Sequence, residues 1–320
     1  MEPSLELITR LFAQQGLGAV TAVARGGFSY AHENLLVTVA NGERFVLRLA
    51  GERRGAAFLE KEALLYRILA QVSDLPVPRV RGSGPEGEIG SRAYLVLECL
   101  PGRNGRELLA LPQAQVFFDA LHESAGRLLA RLHAIRLGAL TSHPDLAVER
   151  VLDWQSYLTG RCEWELQGCA AVLPCDLARQ VAAVLKRHRD AIPERLPSRL
   201  LHRDFKLHNL LFEVSERDGE SAGVELTGIL DFEWACVGDP LLDVAAADLH
   251  RRPGESAFFE GYFGTPWLPP EIERRLWLYA IIDRLDVIDR ALRWLARPQA
   301  VVQRRIRALR SLIAEESRWR

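Results

Sequence analysis

Short β-prone apolar runs fill the first hundred residues, and helical stripes dominate the rest of the chain. The opening segment, residues 1–18, predicts a short amphipathic helix bearing Glu6 and Arg10. Ala19 to Ala24 predicts a strand, followed by the glycine-bearing turn Arg25-Gly26-Gly27-Phe28-Ser29. Leu35 to Val39 and Phe45 to Leu49 predict two more strands, with Asn41-Gly42 between them as a hairpin signal. From Ala56 to Ala70 the spacing of Phe58, Leu59, Ala63, Leu64 and Ile68 predicts a helix. It stops before Leu75-Pro76-Val77-Pro78, where two prolines impose extended backbone. Arg92 to Leu97 predicts another strand, ended by Pro101-Gly102.

Beyond Gly102 the period changes. Leu121, Ala125, Leu128, Leu129 and Leu132 form one stripe of a helix over 112–135. Helices are also expected near Val148 to Glu165 and Asp176 to Ala191. Asn209 to Val214 and Val224 to Phe232 then predict a hairpin around the polar turn Glu216 to Glu220. The chain reads as helical from Pro240 onward. The pattern therefore implies an α+β protein with a β-rich N-terminal lobe over 1–100 and a mainly helical lobe over 101–320, joined near Glu98 to Gly102.

Composition adds exclusions. Lysine plus arginine (41) and aspartate plus glutamate (42) nearly cancel in 320 residues, so no global field favours nucleic acid or an anionic membrane. No apolar stretch of about 18 residues predicts a membrane span. Nor does the N-terminus carry the basic start and unbroken apolar core of a secretion signal. The five cysteines are scattered, without a CxxC pair, which argues against zinc or a disulfide framework and for reduced thiols in the cytoplasm. No protein partner is implied.

The sharpest chemistry lies in His202-Arg203-Asp204-Phe205-Lys206-Leu207-His208-Asn209, followed by Asp231-Phe232-Glu233. The first motif falls where helices give way to the hairpin and the second just past its second strand, a placement expected to bring Asp204, Asn209 and Asp231 together. Phosphoryl transfer needs a group that orients the attacking hydroxyl, and metal ions that neutralise the triphosphate. A carboxylate and a carboxamide suit Mg²⁺, a hard, oxygen-preferring ion.

This arrangement resembles the aminoglycoside phosphotransferase and choline kinase superfamily, distant relatives of the protein kinases. The likeness extends over about residues 20 to 250. It takes in Gly238-Asp239-Pro240 and the Leu129-Ala130-Arg131-Leu132-His133 helix, which is similar to one carrying a buried histidine in those enzymes. The resemblance implies a two-lobed protein-kinase-like fold with ATP, or GTP as the alternative donor, in the interlobe cleft. It implies Asp204 as catalytic base and Asn209 and Asp231 as Mg²⁺ ligands. Arg48 would stand where those enzymes carry a phosphate-binding lysine, with Glu62 as its ion-pair partner; locally, Glu62 beside Lys61 also reads as a solvated helix residue. Gly26, Gly27 and Ser29 would approach the phosphates, or form a plain turn. Glu98 and Leu100 would hold the adenine through backbone groups, or simply link the lobes. Lys206 would reach the transferring phosphoryl group, with a surface lysine as the other reading. The family commonly has glycine where Arg203 stands.

Only Trp234 to Val237 separate Asp231-Phe232-Glu233 from Gly238-Asp239-Pro240, which leaves no room for a peptide-binding activation segment. A small-molecule hydroxyl is therefore the expected acceptor. An antibiotic such as an aminoglycoside stands first by resemblance, ahead of a metabolic amino alcohol, sugar or nucleoside; a non-catalytic nucleotide-binding module is the competing class. Acidic candidates for a cationic acceptor are Glu233, Asp239, Asp243 and Asp283. The triplet Asp283, Asp286 and Asp289, interleaved with Arg284 and Arg290, reads first as a salt-bridged solvent face. Asp239 also reads as a loop anchor at the start of the next helix. For Trp154, Trp164, Trp234, Trp277 and Trp294, core packing is the default.

Overall fold

The computed structural model describes the chain except for residues 1–2, 28–31, 52–54, 86, 88, 90, 137–152, 197–198, 216–222, 248–255 and 320. In chain order the first elements are α1 (Leu5–Gln14), β1 (Val20–Arg25), β2 (His32–Val39), β3 (Arg44–Ala50), α2 (Gly55–Val72), β4 (Val80–Gly84), β5 (Tyr94–Glu98) and β6 (Arg103–Asn104). Then come α3 (Gly105–Leu109), α4 (Ala114–Ala134), α5 (Trp154–Gly168), α6 (Cys175–Arg187), β7 (Leu200–Leu201), β8 (Leu210–Ser215), β9 (Gly223–Ile229) and β10 (Cys236–Val237). Helices α7 (Leu241–Ala246), α8 (Ala257–Phe263), α9 (Pro270–Trp294) and α10 (Gln299–Ala314) complete the order. Two units result: Met1–Asn104 with Asn209–Glu213 and Leu226–Glu233, and Gly105–His208 with Val214–Glu225 and Trp234–Arg320.

The first unit is organised by the two-residue period of its strands. Five strands pair in the order β1-β2-β3-β5-β4, with antiparallel registers throughout. Leu35, Val37, Val39, Phe45, Leu47 and Leu49 bury one face, against Ile8, Leu11 and Phe12 of α1. Alternation puts Arg48 on the opposite face, where it is 6% exposed and paired with α2. Strand β4 escapes the sequence pattern because Gly82 and Gly84 depress strand propensity, and its register shifts between Val80 and Gly82.

In the second unit, α4 and α8 cross at glycines. A Cβ on Gly126 would lie 2.2 Å from the Phe258 carbonyl oxygen, and one on Gly261 would lie 2.1 Å from that of Glu123. Only a residue without a side chain allows such approach. Helix α9 is buried on nearly every side, packed by α5, α7 and α10. That corrects the solvent-face reading of its aspartates: Asp283, Asp286 and Asp289 are 3%, 1% and 3% exposed. Among the tryptophans, Trp154 and Trp277 are core residues, whereas Trp164 is exposed, with the Arg293 guanidinium 4.0 Å from its ring centroid. The expected turn at Glu216 to Glu220, and residues 148–152 of the expected helix, lie outside the described residues. No helix among the described residues is long and apolar enough to cross a membrane.

Candidate active site

In the first unit a chain of buried polar groups runs from β3 to the segment after β9. Arg48 Nη1 donates to both carboxylate oxygens of Glu62 on α2, at 2.5 and 2.6 Å. Glu62 is fully buried, so it is not the solvated helix residue that its neighbour Lys61 suggested. One turn further along α2, the Tyr66 hydroxyl donates to Glu62 Oε1 at 3.0 Å and accepts from the Asp231 backbone N–H at 2.9 Å. Arg48 Nη2 then faces Asp231 Oδ1 at 3.5 Å. Burial disfavours the Arg48 charge, but Glu62 and Asp231 hold it firmly protonated. Burial and the Glu62 charge likewise push the Tyr66 phenol well up, so it stays a neutral donor.

Asp231 adopts a left-handed backbone (φ 70°), a strained choice for a residue with a side chain. Its side chain remains 23% exposed. Asn209 sits in the same unit, and the Leu230 N–H donates to its carbonyl at 2.9 Å, tying the two segments together. Their carboxylate and carboxamide oxygens are the donor set that a hard cation uses alongside phosphates and water. Among the described residues no cluster of three or more His, Cys, Asp or Glu side chains could hold a metal ion. The turn at Gly26 and Gly27 is held by its neighbour strand: Gly26 N–H donates to the Asn34 carbonyl, and Asn34 Nδ2 donates to the Gly27 carbonyl. Ser29 lies outside the described residues. Glu98 N–H donates to the Arg79 carbonyl and Cys99 N–H to that of Arg44, which fixes the chain leading into Leu100.

In the second unit, the loop His202 to Lys206 hangs on one carboxylate. Asp243, fully buried on α7, accepts the N–H groups of His202 (2.5 Å) and Arg203 (2.9 Å) and contacts His133 Nε2 at 3.3 Å. Burial opposes its ionisation, yet His133 and the nearby cations bring its pKa below the ordinary value. Arg203 has φ 65°; it and Asp231 are the two non-glycine residues with positive φ among those described. Both belong to the motifs picked out by sequence. Asp204, its side chain 20% exposed, is ion-paired with Lys206. Burial again disfavours the charge, but Lys206 overcomes it, holding the carboxyl well below the usual range. His208 is lowered by burial.

The four acidic candidates for acceptor binding all have internal partners. Glu233 Oε2 lies 3.0 Å from His32 Nε2. Asp239 accepts the Leu241 N–H at 3.0 Å and the Tyr279 hydroxyl at 2.8 Å, as expected of an anchor at the start of α7. Asp283 pairs with Arg284 at 2.5 Å, and Asp243 holds the loop just described. Sequence reasoning passed over Tyr66, although its position one turn after Glu62 on the same helix face was there to be read.

Comparisons with known proteins bear on the fold and the family. A homoserine kinase of Neisseria meningitidis serogroup B is 30% identical over 209 residues, covering 61% of this chain and 58% of that enzyme. Acyl-CoA dehydrogenase family member 10 of Mus musculus is 22% identical over 241 residues, 72% of this chain and 21% of that protein. The matching stretch spans 28% of a third curated relative, an acyl-CoA dehydrogenase from Arabidopsis thaliana. Among solved structures, the GDP complex of aminoglycoside 2'-phosphotransferase-IIIa aligns with a TM-score of 0.70 at 18% identity, over 98% of this chain and 99% of that one. The ADP and hygromycin B complex of a thermostable APH(4)-Ia mutant gives 0.66 at 16% identity, over 95% and 97%. These likenesses establish a kinase-like α+β fold. The profile of the phosphotransferase enzyme family matches residues 25–277, most of the chain, and the protein belongs to that family.

Proposed function

We propose that the protein transfers the γ-phosphoryl group of a nucleoside triphosphate to a hydroxyl of a small molecule. The observation that carries this reading is the buried chain Arg48–Glu62–Tyr66–Asp231, which fixes a cation and a strained, half-buried carboxylate 3.5 Å apart. Such expense of burial and strain is expected where ligands are gripped. Arg48 binds phosphate oxygens, and its planar fork suits them better than a point charge would. Gly26 and Gly27 would approach the phosphates, Ser29 being a further candidate outside the described residues, while backbone groups of Glu98 and Leu100 would take the base of ATP or GTP. Asn209 and Asp231 would hold Mg²⁺, which would neutralise charge developing on the β- and γ-phosphate oxygens.

In the transfer, the bond from γ-phosphorus to the β-phosphate bridging oxygen breaks and the acceptor oxygen bonds to that phosphorus. The acceptor hydroxyl proton passes to Asp204. A carboxyl held so acidic by Lys206 is a weak base, so its main work is to orient the hydroxyl, which suffices for a loose transition state. Lys206 then has a second partner in the incoming phosphoryl oxygens.

The acceptor reading shifts away from a polycationic antibiotic. Glu233, Asp239, Asp243 and Asp283 are each already engaged by a neighbouring side chain, His32, Tyr279, His133 or Arg284 respectively, which argues against their gripping a polycation. A small hydroxylated metabolite of low positive charge fits better, and the homoserine kinase relative supports that class. The test is magnesium-dependent release of ADP or GDP across hydroxy amino acids, amino alcohols, sugars, aminoglycosides and other hydroxylated antibiotics. Turnover with a metabolite class, reduced on the order of 10²–10⁴-fold in Asp204→Asn, is the expected outcome. Turnover confined to aminoglycosides would reverse the acceptor assignment. Asp204→Asn turning over like the wild type would remove the catalytic assignment and leave a nucleotide-binding module.

A further inference from the structure

Arg203 is an unusual residue for its position. A left-handed conformation costs a non-glycine residue about 1–2 kcal/mol, and a buried guanidinium needs a counter-charge. At 7% exposure Arg203 meets both demands. Three of its polar groups are held, while its buried Nη1 has no hydrogen-bond partner among the described residues. Its N–H goes to Asp243, its Nη2 donates to Asp286 Oδ2 at 2.7 Å, and its carbonyl accepts from Arg290 Nη1 at 3.4 Å. Asp286 and Arg290 lie one turn apart on α9 and bond each other, Nε to Oδ1 at 2.9 Å. The Arg290 guanidinium also sits 4.1 Å from the ring centroid of Trp234, the residue directly after the Asp231-Phe232-Glu233 motif. One turn of α9 therefore grips the loop at Arg203 and the ring of Trp234.

We infer that Asp286 and Arg290 are positioning residues: they form a built-in latch that locks Arg203, and with it the loop carrying Asp204, in one conformation. Asp286 supplies permanently the anion that Arg203 requires. No modification of the chain is needed to order the loop. None of these residues touches the reacting atoms; the latch acts through the backbone of His202 to Asp204. Its catalytic readout rests on the phosphotransfer reading, whereas its structural readout does not.

The test is a double-variant cycle on the full chain, read by amide hydrogen exchange over 202–206 and by kcat and nucleotide KM. Asp286→Asn strands the Arg203 charge on a strained residue. It is expected to raise exchange across the loop at least tenfold and to lower kcat about tenfold or more, with nucleotide KM within twofold. Arg203→Gly removes the charge and tolerates positive φ, so its effect is milder. The double variant is expected to track Arg203→Gly rather than multiply the two losses. Arg290→Gln, at a less buried site, moves both readouts in the same direction by a smaller factor, and serves if Asp286→Asn fails to fold.

Loss of thermal stability with unchanged loop exchange and kcat in these variants would overturn the latch. So would losses that multiply in the double variant, since Asp286 would then act through Arg161 and not through Arg203. If the wild type phosphorylates no acceptor, the function reading fails on its own. Loop exchange still decides for or against the latch.

Discussion

Two buried ion networks, one in each unit, show opposite charge arithmetic. In the first, Arg48 faces Glu62 and Asp231, so one cation meets two carboxylates. In the second, Asp286 alone receives Arg161, Arg203 and Arg290, and the nearby Glu165 has its pKa pushed up to about 8. The first leaves negative charge at a half-exposed residue, Asp231, which can meet a metal ion and its phosphates. The second encloses its carboxylate, Asp286 being 1% exposed, and turns three guanidinium groups onto it, although the Arg161 side chain stays 36% exposed. A carboxylate left partly exposed is available to a ligand, while one enclosed by cations holds chain segments together. The same residue types thus leave a carboxylate accessible in one unit and enclose it in the other.

The largest expected effect in breaking this contrast comes from Glu62→Gln. It removes the carboxylate that Arg48 grips with two bonds and leaves a guanidinium 6% exposed beside Asp231 alone. Breaking a buried pair this way costs about 3–5 kcal/mol. Hydrogen exchange should rise over β3 and α2, and nucleotide KM should increase several-fold as Arg48 turns toward Asp231. The Asp286 variants differ in kind: they are expected to move kcat and leave nucleotide KM alone. Equal KM shifts for both sets would erase the distinction between the networks.

Tyr66→Phe is a finer cut. It keeps the ring packed edge-on to Phe232, 5.7 Å between centroids, but deletes the hydroxyl that accepts from the Asp231 N–H and donates to Glu62. An unsatisfied buried N–H costs about 1–3 kcal/mol, here at a residue already strained at φ 70°. The expected result is a lowered affinity for Mg²⁺–nucleotide with little change in the global unfolding midpoint. A variant that binds Mg²⁺–nucleotide as tightly as the wild type would separate Tyr66 from the ligand-facing network.

Legibility in the sequence divides along the same line. The pairing of Arg48 with Glu62 was legible only through the family resemblance, because the local pattern around Glu62 reads equally as a solvated helix face. Asp204, Asn209 and Asp231 stood out as candidates because a short chemical motif states its own spacing. The second network was not legible. An Asp triplet at every third position looks like a surface pattern, and its burial comes from α5, α7 and α10, which no local window contains. Trp164 misled in the other direction, since its exposed face is covered by Arg293 and not by a core. Strand β4 was invisible because its glycines hide a pairing that β5 imposes. Local chemistry was legible; long-range enclosure was not.

The smallest expected effect tests whether the inward network is as unbalanced as its geometry implies. Glu165 accepts from Arg161 Nε at 2.7 Å through Oε1, while its buried Oε2 has no hydrogen-bond partner among the described residues. Burial, then the charge of Asp286, raises its pKa from the ordinary 4.5 to about 8, against the pull of Arg161. Asp286 moves oppositely: burial opposes its charge, but Arg290, Arg203 and Arg161 hold it well below the ordinary carboxylate range. The two carboxyls therefore load stability in separate windows. A raised folded-state pKa means that the folded chain binds more protons between pH 4.5 and 8. The contribution of Glu165 is present in full below 4.5 and is lost as pH rises through 8. That of Asp286 is present above its ordinary value and lost as pH falls below it. Glu165→Gln keeps the acceptor for Arg161 and removes the titration. Its unfolding midpoint should then hold nearly level from pH 5 to 8.5 while the wild type declines over the same range. Parallel decline of the two proteins would mean that Glu165 is ionised throughout, which would make the cluster of Arg161, Arg203 and Arg290 better balanced than a single Asp286 allows.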